Sequence, residues 1–208
     1  MVITIGGRYG SGGKVVAAGT AELLGYRLVS DDGILEAVKN SEFDMAEETF
    51  RYFDESQGQA KLSELARLSS AQRSGFIQAV EPVVPLGQAM EEIQRTVLNR
   101  LADQGDCILL GRCANHYLAG RSDVLSVFIL DDDEHCVARI MERYPELTVK
   151  EAEKRIKKTN KRREDYYAFF TGKDWGDVTN YAMVLNCALL GGAESAAVYL
   201  AGAVRAMQ

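Results

Sequence analysis

The sequence predicts an α/β fold built on a parallel sheet, and three observations predict it. Five short apolar runs, residues 2 to 6, 27 to 30, 107 to 111, 124 to 130 and 182 to 187, alternate with stretches of helical periodicity. Runs such as "CILLG" and "VLSVFIL" are apolar on both faces, as strands covered by helices on both sides are. A glycine-rich turn, "GRYGSGGKVV" from Gly7 to Val16, joins the first run to the first helical stretch.

Each element has its own local reason. Gly25 ends the first helix as a C-terminal cap. Asp31 and Asp32 follow the second strand, where they either cap the helix "GILEAV" or bind a hydroxyl, a base amine or a hydrated magnesium ion. Residues 41–85 interrupt the alternation with a polar, helix-compatible insertion. Its aromatics Phe43, Phe50, Tyr52, Phe53 and Phe76 suffice to pack a small lobe or a subunit contact, which makes a homodimer an expectation. An amphipathic helix with Leu86, Met90, Ile93, Val97 and Leu101 on one face leads into the third strand. Asp131, Asp132 and Asp133 end the fourth strand as helix caps, and Pro145 stops the helix they open. Thr148 and Glu151 form a capping-box pattern that starts "KEAEKRIKKTNKRREDYYAFF".

Composition removes several classes. With 208 residues and 47% hydrophobic content the chain can bury one sizeable core, and a net charge of −6 argues against a nucleic-acid partner. Cys107, Cys113, Cys136 and Cys187 show neither disulfide nor zinc spacing, so they are ordinary thiols of a reducing compartment. The sequence contains neither a secretory leader pattern nor an apolar run of 18 residues, so no membrane partner and a cytoplasmic location are expected. His116 and His135 stand apart from other ligands, and no metal-ligating residue is nominated.

The glycine turn is the first candidate site. Backbone amides freed by glycine, with the positive end of the following helix, cradle phosphate. The pattern GxxxxGK[ST] fits Gly7 and Gly12 but then finds Gly13 at the lysine position and Lys14 at the hydroxyl position; sliding by one repairs the lysine and loses the first glycine to Arg8 and the hydroxyl to Val15. A dinucleotide pattern, Gly10-x-Gly12 with Val15 at the third glycine and Asp31 and Asp32 about 20 residues on, competes with it. The second candidate is cationic. Arg112 stands at the C-terminal end of the third strand, where open α/β sheets place ligands, and can clamp a phosphate bidentately. Arg155, Lys158 and Arg162 recur at offsets of three and four on a basic helix that also carries Arg163, enough to present several cations to one polyphosphate. Phosphoryl transfer needs such a cluster and hydride transfer does not.

The segments "ITIGGRYGSGGK", "ILLGRCANHYL", "KKTNKRREDYYAFFTGKDWGD" and "NYAMVLNCALLGGAESAAVYL" resemble, in order, blocks of the cytidylate kinase-like family, relatives of the P-loop nucleoside monophosphate kinases. The resemblance implies one three-layer P-loop NTPase domain with a five-stranded parallel sheet, its core in residues 1–40 and 86–208. Residues 41–85 would be an acceptor-binding insertion and 148–172 a lid. It implies ATP and Mg2+ as cofactors and a nucleotide or small phosphorylated acceptor. ATP phosphates would lie on Gly7, Tyr9, Gly10, Ser11, Gly12, Gly13 and Lys14. Asp31 and Arg112 would hold the acceptor, with Arg155, Arg162 and Arg163 closing from the lid and Asn186 to Gly192 near the adenine. The shifted lysine is also typical of the resembling family. It leaves two readings open beside a nicotinamide enzyme: a kinase of cytidylate type, or a catalytically weak or inactive nucleotide-binding sensor or interaction protein on the same fold.

Overall fold

The computed structural model describes residues 1–40, 86–111 and 113–208. Arg112 and the aromatics of the insertion lie outside the described residues, as do the side chains of Asp31, Leu86 and Met90. The elements run β1 (Val2–Gly7), α1 (Gly13–Leu24), β2 (Arg27–Val29), α2 (Asp31–Lys39), α3 (Leu86–Asp103), β3 (Cys107–Leu110) and α4 (Ala114–Tyr117). They continue with β4 (Val124–Leu130), α5 (Asp133–Arg143), α6 (Val149–Thr171), a 3-10 turn at Val178–Asn180, β5 (Met183–Asn186) and α7 (Ala193–Met207).

The five strands form one parallel sheet in the order β2-β3-β1-β4-β5. β1 is central, with Val2 opposite Cys107 on one side and Val124 on the other. Alternation along β1 sends Val2 into a core with Leu109, Phe128, Leu98, Tyr166 and Trp175, and Ile3 and Ile5 into a second core with Val16, Ile108, Val127 and Leu200. Thr4 is two residues from Val2 and shares its face. Each face is closed by helices, which is why the central strands tolerate no polar face. A smaller cluster of Cys136, Ile140, Ala152 and Ile156 binds α5 to α6.

Strand order also decides between the two glycine patterns. In a dinucleotide fold the second strand lies against the first, so the acid at its end reaches the ribose. Here β3 stands between β1 and β2, so Asp31 and Asp32 begin α2 two strands away from the glycine turn. The nicotinamide reading loses its geometric basis.

The helix signals hold where they are local. Gly25 adopts φ 68° and its N–H bonds Ala21 and Glu22 carbonyls. Thr148 and Glu151 make the reciprocal capping box, and Gly172 at φ 66° ends α6. Two expectations are corrected. Ser30, not Asp31 or Asp32, caps α2, its hydroxyl accepting from the Gly33 N–H at 3.3 Å. Asp132 occupies the cap position of α5 without a side-chain bond, and Asp131 is no cap at all but a buried ion-pair partner. Ile93, Val97 and Leu101 form the buried face of α3 as the periodicity predicts. All four cysteines are buried and none forms a disulfide, and burial pushes the Cys136 and Cys187 thiols up to about 11, so these two stay protonated and inert. No helix among the described residues is long and apolar enough to cross a membrane.

Candidate functional site

The turn from β1 to α1 is shaped by close packing. Gly12 takes φ 86° immediately before α1, and a Cβ there would lie 2.6 Å from the Ala193 Cβ at the start of α7. Gly13 has no such constraint: a Cβ would meet nothing within 4 Å. Packing therefore requires a glycine at position 12, while Gly13 takes the first helical position with open space around it. Gly12→Ala is expected to lose about 1–3 kcal/mol from the left-handed backbone and the contact with Ala193, whereas Gly13→Ala should hold or raise the melting temperature. Thermal unfolding of the two variants checks the contrast.

The turn holds its own shape and leaves donors over. Ser11 is fully buried, its hydroxyl donating to the Arg8 carbonyl at 2.7 Å and its N–H to the same oxygen at 3.2 Å. The amides of Gly10, Gly12, Gly13 and Lys14 donate to no acceptor among the described residues. They gather at the N-terminus of α1, where the helix dipole adds positive potential. A cradle of this kind binds an anion.

Cations surround it. A cavity of about 310 Å³ opens over the turn and is lined, among others, by Lys14, Arg139, Arg143 and Arg163. Arg139 donates to the Gly10 carbonyl at 2.9 Å and pairs with Asp131, whose carboxyl is fully buried at the end of β4. His135 also lies 3.0 Å from Asp131. Burial pushes the Asp131 carboxyl up, but hydrogen bonds from Arg139, His135 and the Asp132 amide outweigh it and hold the group below its ordinary range. The pair ties the turn to α5. Arg8 adds an exposed bridge to Asp133 at 2.9 Å, which contributes little.

α6 is latched onto the same turn. The Tyr9 N–H donates to the buried Asn160 side chain at 2.8 Å, and Arg163 donates to the Gly7 carbonyl at 2.7 Å. Arg163 also stands 5.6 Å from the Tyr9 ring centre, and Arg155 stacks 3.9 Å from that of Tyr144. A hydrogen bond with Tyr9 lowers the Tyr144 phenol against its burial, and Arg143 and Arg155 lower it further.

The structure sorts the residues nominated from sequence. Gly7, Tyr9, Gly10, Gly12, Gly13, Lys14 and Arg163 line the cavity, and Ser11 braces the turn beneath it. Arg155 is exposed on α6 against Tyr144, and Arg162 is half-buried; neither lines the cavity. Asn186 accepts from the Ala188 N–H at the end of β5, also away from it. Arg139 and Arg143 were not nominated. Their spacing of four residues on the helix after β4, at the strand ends where open sheets bind ligands, was the available signal. Thr4, Asn115, Tyr167, Trp175 and Tyr181 also line the cavity and carry no motif.

The model of the cytidylate kinase-like family matches residues 2–188. A comparison with curated proteins found no match. Among solved structures, an uncharacterized protein from Eubacterium ventriosum ATCC 27560 shares 23% identity over 99% of this chain and 98% of its own, with a TM-score of 0.70. Shikimate kinase from Acinetobacter baumannii, solved in complex with shikimate, aligns at 15% identity over 100% of this chain and 94% of its own, TM-score 0.51. Shikimate kinase from Bacteroides thetaiotaomicron aligns at 12% over 99% and 98%, also at 0.51. At these identities the likeness establishes the fold alone, a three-layer α/β P-loop fold.

Proposed function

Because the chain belongs to the cytidylate kinase-like family, we propose that it is an ATP-dependent phosphotransferase of the nucleoside monophosphate kinase type, acting on cytidylate or another small phosphorylated acceptor. The observation that carries this reading is the convergence of unpaired turn amides with Lys14, Arg139, Arg143 and Arg163 on one cavity. ATP, when bound, supplies the phosphoryl group that is transferred.

The chain's own residues supply positioning and charge. The amides of Gly10, Gly12, Gly13 and Lys14 would bind phosphate oxygens, and Lys14 would reach the terminal phosphates from the helix start. Arg143 and Arg163 would offset the negative charge that spreads over the equatorial oxygens as the bond breaks. Arg139, held by Asp131, orients the turn. Arg112, Arg155 and Arg162 keep the roles implied by the family pattern: the first on the acceptor phosphate, the others on the lid.

Magnesium has few protein ligands here. Lys14 occupies the position of the magnesium-binding hydroxyl, Asp131 is engaged by Arg139, and Glu142 is the one carboxylate among the described residues that line the cavity. No three-membered metal-ligating cluster occurs among the described residues. Mg2+ would thus be held chiefly by phosphate oxygens and water.

Gly13 supports a second reading. Where the pattern needs a lysine the side chain is missing, which suits a nucleotide sensor with little turnover. A coupled ADP-release assay with Mg-ATP over a panel of nucleoside monophosphates separates the two. Acceptor-dependent turnover above an acceptor-free blank is expected. Silence across the panel, with ATP still raising the melting temperature, would favour the sensor.

A further inference from the structure

The outer surface of α1 and α7 differs from that of the other long helices. α6 turns Lys154, Lys157, Lys158 and Lys161 to solvent, and α5 turns out Glu134, Glu142 and Arg143. α7 instead leaves Val198 and Tyr199 61% and 60% exposed, with Gly202 one turn on, and α1 beside it exposes Val15, Ala18 and Leu23. The two helices lie close enough to make one flat face. Gly19 stands against Ala197, where a Cβ would come within 2.9 Å, and Gly12 stands against Ala193. α2 and α3, which flank residues 41–85 in the chain, pack into the core on the opposite side of the sheet. A contiguous exposed apolar surface of this kind marks an interaction site.

The charges on the two helices decide what fits there. Each helix carries one acid and one base and no other charged residue: Lys14 and Glu22 on α1, Glu194 and Arg205 on α7. All four are exposed, and none forms an ion pair with a described residue. The helices start together at Gly12 and Ala193 and run the same way, with Arg205 donating to the Leu23 carbonyl at 2.6 Å near their far ends. The signs therefore alternate around the face, Lys14 beside Glu194 at one end and Glu22 beside Arg205 at the other. A partner of one charge sign would meet repulsion at two of the four corners. A second copy turned by a two-fold axis meets none. Ala18 is midway between Lys14 and Glu22, Tyr199 is at the middle of the Glu194 to Arg205 span, and the Gly19 contact with Ala197 keeps the two midpoints near one level.

We propose that the face formed by α1 and α7 is a self-association surface: a second copy of this chain docks on it about a two-fold axis that crosses both helices, α7 lying antiparallel to the partner's α7. Glu194 then faces the partner's Arg205, Lys14 faces the partner's Glu22, and the uncharged middles of the helices meet their own counterparts. The apolar centre holds the pair. Rim charges set its sense and add little affinity, so Lys14 keeps its access to the cavity. Helices of 12 and 15 residues, about 18 and 22 Å long, make an interface at the small end of the range, so the dimer should dissociate at about 1–100 μM. The proposal is independent of phosphoryl transfer.

Sedimentation equilibrium of the full chain, at concentrations spanning that range, tests it. Val198→Glu should weaken association by about tenfold or more by placing a charge in the apolar centre. Glu194→Arg should weaken it as well by setting the new arginine against the partner's Arg205. Glu194→Arg combined with Arg205→Glu puts opposite charges back across the α7 pair and should recover the parent's association. Melting temperatures of the dilute variants should stay close to the parent's, since the three positions are exposed. A chain that stays monomeric throughout overturns the inference, as does a dimer indifferent to Val198→Glu. A dimer weakened by Glu194→Arg and weakened further by the double exchange overturns the antiparallel pairing, because it would place Lys14 over the partner's α7 instead.

Discussion

Lys14→Ala is expected to lower phosphoryl-transfer turnover by about 10²–10³-fold, the rate equivalent of about 2.7–4 kcal/mol for one charge-stabilising group at a developing transition state. Lys14 is exposed at the start of α1, lines the cavity, and has no ion-pair partner among the described residues, so its ammonium is available to a phosphate. The loss should fall mainly on kcat, because the group acts on charge that grows during transfer. The decisive companion is Gly13→Lys in the Lys14→Ala background. Gly13 is the first residue of α1 and a side chain there enters open space. A lysine at 13 should restore most of the lost turnover and add slight stability by replacing a helical glycine. Steady-state kinetics of the three proteins check this. Undiminished turnover in Lys14→Ala would show that the arginines alone stabilise the transferring group.

Asp131→Asn is the substitution with the largest expected effect on stability. The carboxyl is fully buried and accepts from Arg139, His135 and the Asp132 amide. Removing its charge leaves a partly buried guanidinium uncompensated beside the turn, a change that costs about 3–5 kcal/mol in comparable buried pairs. The partial exposure of Arg139, 29% of its side chain, puts the expectation at the lower end of that range. Nucleotide binding should weaken with it, since Arg139 also holds the Gly10 carbonyl. The pH dependence has a definite sign. The folded Asp131 titrates below its ordinary 3.8, so its contribution is complete above that value and is lost as pH falls through the lower folded value. The parent should therefore lose melting temperature below about pH 4, and Asp131→Asn should lose less over the same interval. Parallel acid profiles of parent and variant would exclude the pair as a source of acid sensitivity.

Much of the fold is written in short-range pattern. The five strands, the Gly25 cap, the Thr148–Glu151 box and the extent of α6 depend on residues within a few positions of one another, and each stands within two residues of where periodicity and capping place it. The glycine turn is legible for the same reason. Which of its last two glycines the fold requires is not, because Gly12 and Gly13 are told apart by backbone conformation and by Ala193, which faces Gly12 from the start of the last helix. The same holds for capping at β2, where Ser30 outcompetes the two aspartates that follow it by having the extended backbone a cap requires.

What the sequence alone determined is the layered α/β plan, the glycine-rich turn between β1 and α1 and a second supply of cations, all products of local chemistry. Only tertiary structure decided which cations meet the turn and what stands opposite them. Arg139 reaches Gly10 across 129 residues, Asn160 reaches Tyr9 across 151 and Arg163 reaches Gly7 across 156. Thr4 reads locally as one more residue of a buried strand; the tertiary packing places it in the cavity wall with its hydroxyl bonded to no described residue. Contacts of that range leave no period in the chain, because they are made by elements whose neighbours are chosen by the closing of the core.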